Sequence, residues 1–310
     1  MSMRSVAELD TARKPRDPAM SAFAPMDRGG AQADEKSIGA LLVDAGRLKL
    51  EHAELILRAQ RDQHLRFGEA AVKLGLVTQA DIDMALSRQF DYPYLRPGSQ
   101  SLGAELVAAF QPFSTQVEGL RGLRSQLMLR WFGSDVRRRA MAVASAERGD
   151  GRSFLAANLA VVFSQLGEHT LLIDADMRHP RQHELFKLEN GVGLSSVLSG
   201  RGGADAVQRI PALVDLSVLP AGALPPNPQE LLARPAFSLL LGELAENFDV
   251  IVIDTPAGER CADVQTIAAR AGAALMVART DHTRMKPARQ LAQSISESGA
   301  TVVGAVMNSF

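Results

Sequence analysis

The chain has 310 residues, of which 46% are hydrophobic and 22% charged, with a formal net charge of −1 and a single cysteine, Cys261. This composition is typical of globular proteins of more than one domain, and it excludes an intrachain disulfide framework and a global field that attracts nucleic acid or anionic membranes. Because no apolar run reaches the roughly 20 residues of a membrane span and no signal-peptide core begins the chain, we expect a cytoplasmic protein.

The first segment, residues 1–35, has no apolar period. It mixes Ala, Arg, Asp, Pro and Gly, and it ends shortly after a Gly-Gly pair. Such a segment cannot bury enough apolar surface to offset the entropy lost on ordering, so we predict a disordered tail.

An internal repeat defines a predicted helical domain at residues 36–97. Residues 38–60 align with residues 67–89 at a constant offset, and in each copy a helical apolar period stops at a glycine, as at a helix C-cap. Thr78 is the predicted N-cap of the next helix, and the turn-rich residues 90–99 are a predicted exit strand or linker. One short helix pair cannot close a core, so we predict that the two copies pack on each other. The matched glycines are Gly39 with Gly68 and Gly46 with Gly75.

This repeat resembles the N-terminal domain of type II secretion and pilus-assembly ATPases, a family in which some members bind cyclic di-GMP. In the binding members each copy opens with an Arg-Leu-Gly-like triplet. Here the second copy opens with Arg-Phe-Gly at 66–68, and the first opens with Ser-Ile-Gly at 37–39. The resemblance makes Arg66, Gly39 and Gly68 candidate contacts for cyclic di-GMP. The alternative is a docking module whose glycines permit tight turns.

Residues 98–135 are predicted to form a linker and a helix. The pattern is helical from about residue 100, and Pro112 interrupts it. Glu118, Arg121 and Arg124 then recur at every third position, which places them on one helix face. A solvated charged stripe is the simplest interpretation of this spacing.

Buried strands and helices alternate from residue 136 to residue 310. Near-continuous apolar runs rich in Val and Ile indicate a parallel sheet that is covered on both faces. Right-handed crossovers then give a doubly wound α/β domain. The predicted strands are residues 140–146, 171–174, 249–254, 273–278 and 301–307, with a predicted helix at 154–167.

A glycine-rich turn follows the first of these strands. It fits the phosphate-binding loop of P-loop proteins, except that Ala146 replaces the opening Gly and Arg152 replaces the Lys. Glycines let successive backbone N–H groups converge on phosphate oxygens, the helix N-terminus adds partial positive charge, and Ser153 can ligate magnesium. A G-x-G-x-x-G dinucleotide loop is absent. The predicted ATP-binding residues are Arg148, Gly149, Asp150, Gly151, Arg152, Ser153 and Phe154.

Three acids come at the ends of two later strands. Asp174 and Asp176 follow the second strand, and Asp254 ends the third. A carboxylate at the carboxyl end of a parallel strand faces the crevice where ligands bind in such sheets. The simplest alternative for each acid alone is an exposed turn residue. Together with the phosphate loop, the three acids favour an ATP site with Mg²⁺.

Residues 105–310 resemble bacterial tyrosine kinases that accompany exopolysaccharide chain-length determinants. The stripe of Glu118, Arg121 and Arg124 matches the E-x-x-R-x-x-R helix of that family, which implies subunit contacts in a ring. The resemblance also implies a P-loop domain related to ParA and MinD. The other motifs that carry it are Asp-Ala-Asp-Met-Arg-His-Pro at 174–180, Gly-Leu-Ser-Ser-Val-Leu-Ser-Gly at 193–200, Leu-Pro-Ala-Gly at 219–222, Pro-Pro-Asn-Pro-Gln-Glu-Leu-Leu at 225–232 and Arg-Thr-Asp-His-Thr-Arg at 279–284.

The resemblance also assigns roles to individual residues. In that family the first acid of the Asp-Ala-Asp run acts as the base toward tyrosine, and the second acid and the acid of the Ile-Asp-Thr-Pro motif support the metal. These roles fall on Asp174, Asp176 and Asp254. Arg152 completes the catalytic set, and Ser153 is a further metal ligand.

Two features depart from the family pattern. Arg152 stands where the family has Lys; it keeps the charge and can bridge two phosphate oxygens, but it is longer and forked. The family usually ends in a tyrosine cluster that is its own substrate, whereas this sequence ends at Phe310 and has only Tyr92 and Tyr94, which we interpret as packing or turn residues. We expect nucleotide binding to survive, and we expect no autophosphorylation of a C-terminal tail.

Three functions remain open from the sequence. The first is an ATP-dependent tyrosine kinase that regulates exopolysaccharide chain length and is recruited to the inner face of the membrane by a chain-length determinant protein. The second is a catalytically attenuated, ATP-binding scaffold of the same system. The third is a ParA/MinD-like positioning ATPase, but those relatives lack the 225–232 segment and the E-x-x-R-x-x-R helix, and no basic surface for nucleic acid is evident.

Overall fold

The computed structural model describes residues 37–89, 95, 99–135, 137–259 and 262–309. The predicted tail at 1–35, both tyrosines and Cys261 lie outside the described residues, as does most of the turn-rich segment at 90–99. The helices are α1 Ile38–Asp44, α2 Leu50–Gln63, α3 Phe67–Lys73, α4 Gln79–Gln89, α5 Val107–Phe110, α6 Thr115–Leu127, α7 Arg152–Gln165, α8 Gln182–Phe186, α9 Leu194–Leu198, α10 Pro228–Ala233, α11 Pro235–Ala245, α12 Asp263–Ala271 and α13 Met285–Glu297. The strands are β1 Ala140–Ser145, β2 Thr170–Asp174, β3 Gln208–Arg209, β4 Leu216–Leu219, β5 Val250–Asp254, β6 Ala273–Arg279 and β7 Thr301–Asn308. A π-helical turn at Met128–Phe132 continues α6, and a 3₁₀ turn spans Ala204–Ala206.

The sequence repeat folds as helices α1 to α4, and its two copies share one apolar core. Gly46 and Gly75 adopt left-handed φ angles of +67° and +66° after α1 and α3, which confirms the predicted glycine caps. Thr78 Oγ1 accepts the N–H of Asp81 at 3.2 Å, which confirms the predicted N-cap of α4. The shared core contains Leu42, Leu48 and Ile56 from the first copy, and Ala71, Val77 and Ala85 at the matching positions of the second.

The α/β part of the chain is built on a seven-stranded sheet in the order β3-β4-β2-β5-β1-β6-β7. All strand pairs are parallel except β3 with β4. Side chains alternate between the two faces along each strand: Met141 and Val143 of β1 pack with α6 and α7 in one core, and Ala142 and Ala144 pack with α11 and α12 in the other. The predicted doubly wound, mostly parallel fold is therefore confirmed.

The sequence-based element bounds need three corrections. β3 and β4 were not predicted, because strands of two and four residues are too short to show a period. Helix α7 begins at Arg152 and not at residue 154, since Gly151 is still left-handed at φ +88° and the helix starts directly after it. Helical structure between residues 99 and 135 begins only at Val107, whereas the pattern predicted it from about residue 100. None of the described helices has the length and hydropathy needed to cross a bilayer.

Helix α7 is buried along almost its whole length between the sheet and the segment that precedes the domain. The buried Asn158 side chain donates to Glu105 O at 3.0 Å and accepts the N–H of Ala108 at 2.9 Å. Phe163 packs edge-on against Phe132, with ring centroids 5.3 Å apart. This explains why α7 is apolar on all sides and carries no amphipathic period.

We predict that Phe163→Ala lowers the free energy of unfolding by about 3–5 kcal/mol, because it leaves a cavity where a fully buried ring contacted Phe132. Leu239→Ala on α11, where the side chain is 67% exposed, is the control and should cost only about 0.5 kcal/mol. Urea denaturation followed by circular dichroism measures both. Equal costs for the two variants would show that Phe163 is not a core residue.

Candidate active site

The predicted site residues gather at one edge of the sheet. Strands β2, β5 and β1 are neighbours in this order, so the turns after them meet at their carboxyl ends. Asp174 and Asp254 lie in register as the last residues of β2 and β5. The phosphate loop follows β1 and leads into α7. The sheet topology thus brings together three segments that are far apart in sequence, as the strand-end argument predicts.

Two glycines shape the phosphate loop. Gly149 and Gly151 have φ angles of +89° and +88°, which residues with a side chain rarely adopt. Between them, the buried carboxylate of Asp150 accepts the N–H of Glu147 at 3.0 Å and the hydroxyl of Thr283 at 2.6 Å. Both carboxylate oxygens of Asp150 are therefore engaged in bracing the loop. The predicted nucleotide contact of Asp150 is left to its backbone and not its side chain.

The segment after β6 also contacts the loop. This segment belongs to the motif at 279–284, for which the sequence predicted no contact with the loop. Arg284 Nε donates to Glu147 Oε1 at 2.7 Å, and this hydrogen bond lowers the pKa of Glu147. Asn308 at the end of β7 donates to Asp150 O at 3.3 Å. Sequence reasoning missed Thr283 and Asn308, since these polar side chains have no spacing that marks them.

Arg152 is buried among the acids. Its Nη1 donates to Ser145 Oγ at 2.7 Å, its Nη2 lies 3.4 Å from Asp176 Oδ2, and its Nε lies 3.4 Å from Asp254 Oδ1. The last contact has the distance of an ion pair without the geometry of a hydrogen bond. The fork of the guanidinium thus links two acids and a serine, which a single ammonium group reaches less easily.

Asp174 is fully buried, and backbone groups satisfy most of its carboxylate. Its Oδ1 accepts the N–H of Asp176 at 3.2 Å, and its Oδ2 accepts the N–H groups of Arg181 and Gln182 at 3.0 and 2.9 Å. Burial, followed by the charge of Asp254, raises the pKa of Asp174 well above its usual value. A raised pKa is what a carboxyl group needs to take up a proton near neutral pH.

Asp254 is also fully buried. Burial raises its pKa, and the charge of Arg152 and hydrogen bonds from Gln182 and Ser153 oppose that shift. The Gln182 contact was not predicted, because the acidic motif quoted from the sequence ends at residue 180. No periodicity marks this glutamine.

A cavity of about 940 Å³ opens beside the phosphate loop. All seven predicted nucleotide-binding residues line it, together with Asp176, whereas Asp174 and Asp254 are buried and are not part of its wall. The volume is in the range of ligand-binding clefts. Further side chains of its wall are Glu105, Gln116, Arg178, Arg181, Glu184, Glu259 and Arg279.

The donor set fits a magnesium ion held together with phosphates. Within the described residues, no group of three or more His, Cys, Asp or Glu side chains is arranged to hold a metal by itself. Mg²⁺ in nucleotide sites uses one or two carboxylates and takes its other ligands from water and substrate phosphates. Asp176, Asp254 and the Ser153 hydroxyl meet that description, and one buried oxygen of Asp254 accepts no hydrogen bond from the described residues.

The predicted oligomer contacts lie on α6 but do not behave alike. Arg121 Nη1 pairs with Glu118 Oε2 at 3.1 Å, with the Glu118 side chain 74% exposed and the Arg121 side chain only 19% exposed. Arg124 Nη1 donates to Val162 O of α7 at 2.8 Å, so it holds α6 on the domain. Spacing alone did not separate these two uses of arginine.

Packing accounts for the glycines proposed as cyclic di-GMP contacts. A Cβ on Gly39 would lie 3.0 Å from the ring of Phe67, and one on Gly68 would lie 3.1 Å from Ile82. Arg66 is exposed, and its backbone N–H is capped by Glu69 Oε2 at 2.9 Å. The close approach of helices explains both glycines without a ligand.

We predict that Thr283→Val weakens nucleotide binding about tenfold, because it leaves the buried Asp150 carboxylate without one donor at a cost of about 1–3 kcal/mol. Thr283→Ser keeps the hydroxyl and should bind like the wild type. Titration with a fluorescent ADP derivative measures both. Wild-type affinity in Thr283→Val would refute the bracing role.

Known proteins support the same assignment, although no protein-family model matches the chain. The tyrosine-protein kinase YwqD of Bacillus subtilis is 34% identical over 203 residues, which are 66% of this chain and 85% of that protein. The kinase domain of the Escherichia coli tyrosine kinase Etk superposes with a TM-score of 0.64 at 27% identity, over 71% of this chain and 86% of that one. The chimerical protein CapA2B2 gives a TM-score of 0.62 at 34% identity, over 73% and 97%. The chain therefore belongs to the family of bacterial protein-tyrosine kinases.

Proposed function

We propose that this protein transfers the γ-phosphoryl group of ATP to tyrosine, and that it does so in a system that sets exopolysaccharide chain length. One observation carries the proposal: the phosphate loop, Arg152 and the acids Asp174, Asp176 and Asp254 converge at one edge of the sheet, beside a cavity large enough for a nucleotide. The convergence suits phosphoryl transfer, in which positioning and charge neutralisation do most of the catalysis.

In this proposal the phosphate loop binds the phosphates of ATP, and a second set of residues binds the metal. The backbone N–H groups of residues 149–153 and the N-terminus of α7 bind phosphate oxygens. Ser153, Asp176 and Asp254 would hold Mg²⁺, which would supply positive charge to neutralise the phosphates. Arg152 contributes its own positive charge to the same oxygens once it leaves its ion pairs with the acids.

Asp174 is proposed as the base that accepts the tyrosine proton when the phenolic oxygen attacks the γ-phosphorus and ADP leaves. Its raised pKa supports this role. Three backbone N–H groups occupy its carboxylate, which leaves about one acceptor position, and in this proposal the tyrosine hydroxyl must reach this fully buried side chain from the cavity.

We predict that Asp174→Ala lowers phosphotyrosine formation by about 100-fold or more, because general-base catalysis contributes that much or more. The assay contains ATP, Mg²⁺, the membrane chain-length partner as substrate and an antibody to phosphotyrosine. Asp62→Ala, which removes an exposed acid of α2, is the control and should keep wild-type activity. Undiminished phosphotyrosine in Asp174→Ala would remove Asp174 from the reaction.

The partner and the site of action belong to the same proposal. The partner is a membrane chain-length determinant protein that recruits the kinase to the inner face of the membrane, and the motif set at 174–180 and 225–232 supports it. Copies of the kinase associate, in a ring, through the α6 pair of Glu118 and Arg121, in which Glu118 is the exposed partner. Arg124 contributes indirectly, since its bond to Val162 O fixes α6 on the domain.

A second candidate is an attenuated scaffold that binds ATP but transfers little phosphate. The contacts of Arg152 favour it, because a guanidinium bound to Ser145, Asp176 and Asp254 must be displaced before it reaches a phosphate. In this case nucleotide binding, and not turnover, is the functional event.

We predict that Arg152→Lys raises the rate of phosphotyrosine formation about tenfold or more, since the shorter, unforked cation releases one of the two acids. A tenfold rate corresponds to about 1.4 kcal/mol, within the range of a charge-assisted hydrogen bond. Arg139→Lys is the matched control at a partly buried arginine that pairs with Asp249 at 3.1 Å, and it should leave the rate unchanged. Absence of phosphotyrosine in both the wild type and Arg152→Lys would favour the scaffold.

A further inference from the structure

Gln182 is a buried polar residue that contacts both strand-end acids. It is the first residue of α8, and its side chain is fully buried beneath the acids. Its Nε2 donates to Asp254 Oδ2 at 2.8 Å and to Ser153 O at 3.1 Å. A single amide group thus bonds to two of the three residues proposed to hold the metal.

The orientation of this amide is fixed by its partners. Ser153 O is a carbonyl oxygen and can only accept, so the nitrogen of Gln182 must face it. The carbonyl oxygen, Oε1, then faces the other way. It is buried, and no donor among the described residues reaches it. Only the amide nitrogen therefore contacts the residues proposed to hold the metal.

The backbone of Gln182 binds the remaining strand-end acid. Its N–H donates to Asp174 Oδ2 at 2.9 Å. Gln182 therefore contacts Asp174 through its main chain and Asp254 through its side chain. Arg152 Nε lies 3.4 Å from the other carboxylate oxygen of Asp254, at ion-pair distance without a hydrogen bond, so both oxygens of Asp254 have a polar neighbour.

We propose that Gln182 is a positioning residue of the magnesium site: its amide nitrogen, which bonds both to Asp254 Oδ2 and to Ser153 O, orients Asp254 relative to Ser153. This inference rests on the proposed function, because it concerns the same site. Residues that orient metal ligands from behind commonly change metal affinity 10- to 100-fold when they are replaced.

No other common side chain of this size fits both contacts. Glutamate would place a third carboxylate against Asp254 and could not donate to Ser153 O. Methionine has a similar length and shape but donates no hydrogen bond, so Gln182→Met removes the contacts with little change in packing. Gln165→Met is a matched control: Gln165 is also buried and donates to a backbone oxygen, Ala108 O at 2.9 Å, but it lies at the far end of α7.

The test measures the dissociation constant of fluorescent N-methylanthraniloyl-ADP twice, in Mg²⁺ and in EDTA, with the full chain. The dissociation constant in EDTA divided by that in Mg²⁺ reports the contribution of the metal to binding. We expect this ratio to fall about tenfold in Gln182→Met, with the EDTA value within about twofold of the wild type, and to stay unchanged in Gln165→Met. A merely structural role would weaken binding equally in both buffers.

Each outcome separates this inference from the proposed function. A wild-type ratio of one would overturn the magnesium site itself. A metal-dependent wild type together with the same ratio in Gln182→Met would overturn the role of Gln182 alone. If Gln182→Met does not fold, Gln182→Asn replaces it; its amide is one carbon too short to reach Asp254 at 2.8 Å, and the same fall in the ratio is expected. An unchanged ratio in that variant overturns the role as well.

Discussion

The ion pairs of Arg152 with Asp176 and Asp254 are the interaction on which the site depends. Asp254 is fully buried and Asp176 is 5% exposed, so neither charge is solvated by bulk water. Buried charges persist only when they are paired and hydrogen-bonded. Arg152 provides the opposite charge, and Gln182 provides a donor to Asp254. The same two carboxylates are the proposed metal ligands. The guanidinium of Arg152 and Mg²⁺ therefore compete for Asp176 and Asp254.

A second set of contacts keeps the phosphate loop in shape through Glu147 and Asp150. Thr283 and Arg284 reach the loop from the segment after β6, and Asn308 reaches it from the end of β7. The loop conformation, with two left-handed glycines, is intrinsically costly in entropy. External bracing fixes the loop conformation through contacts within the protein, which is the condition for electrostatic stabilisation without reorganisation.

The sequence predicted those parts of the site that local pattern determines. Five strands were found because each is a continuous apolar run, and Asp174 and Asp254 were found because they end two such runs. Gln182 and Thr283 could not be found in this way, because their partners Asp254 and Asp150 are distant in sequence and only the fold brings them together. The short strand Leu216–Leu219 was missed for a different reason, since four residues carry no period.

The segment before the α/β domain is connected to the site through two helices. Asn158 of α7 binds the backbone of residues 105 and 108, and Gly103 donates to Leu185 O of α8 at 2.7 Å. A Cβ on Gly103 would lie 2.9 Å from that carbonyl, so only glycine permits the contact without displacement. Helix α7 begins at Arg152 and α8 begins at Gln182, so both helices carry a site residue at their first position. Residues 103–108 therefore contact the two helices whose first residues, Arg152 and Gln182, both contact Asp254.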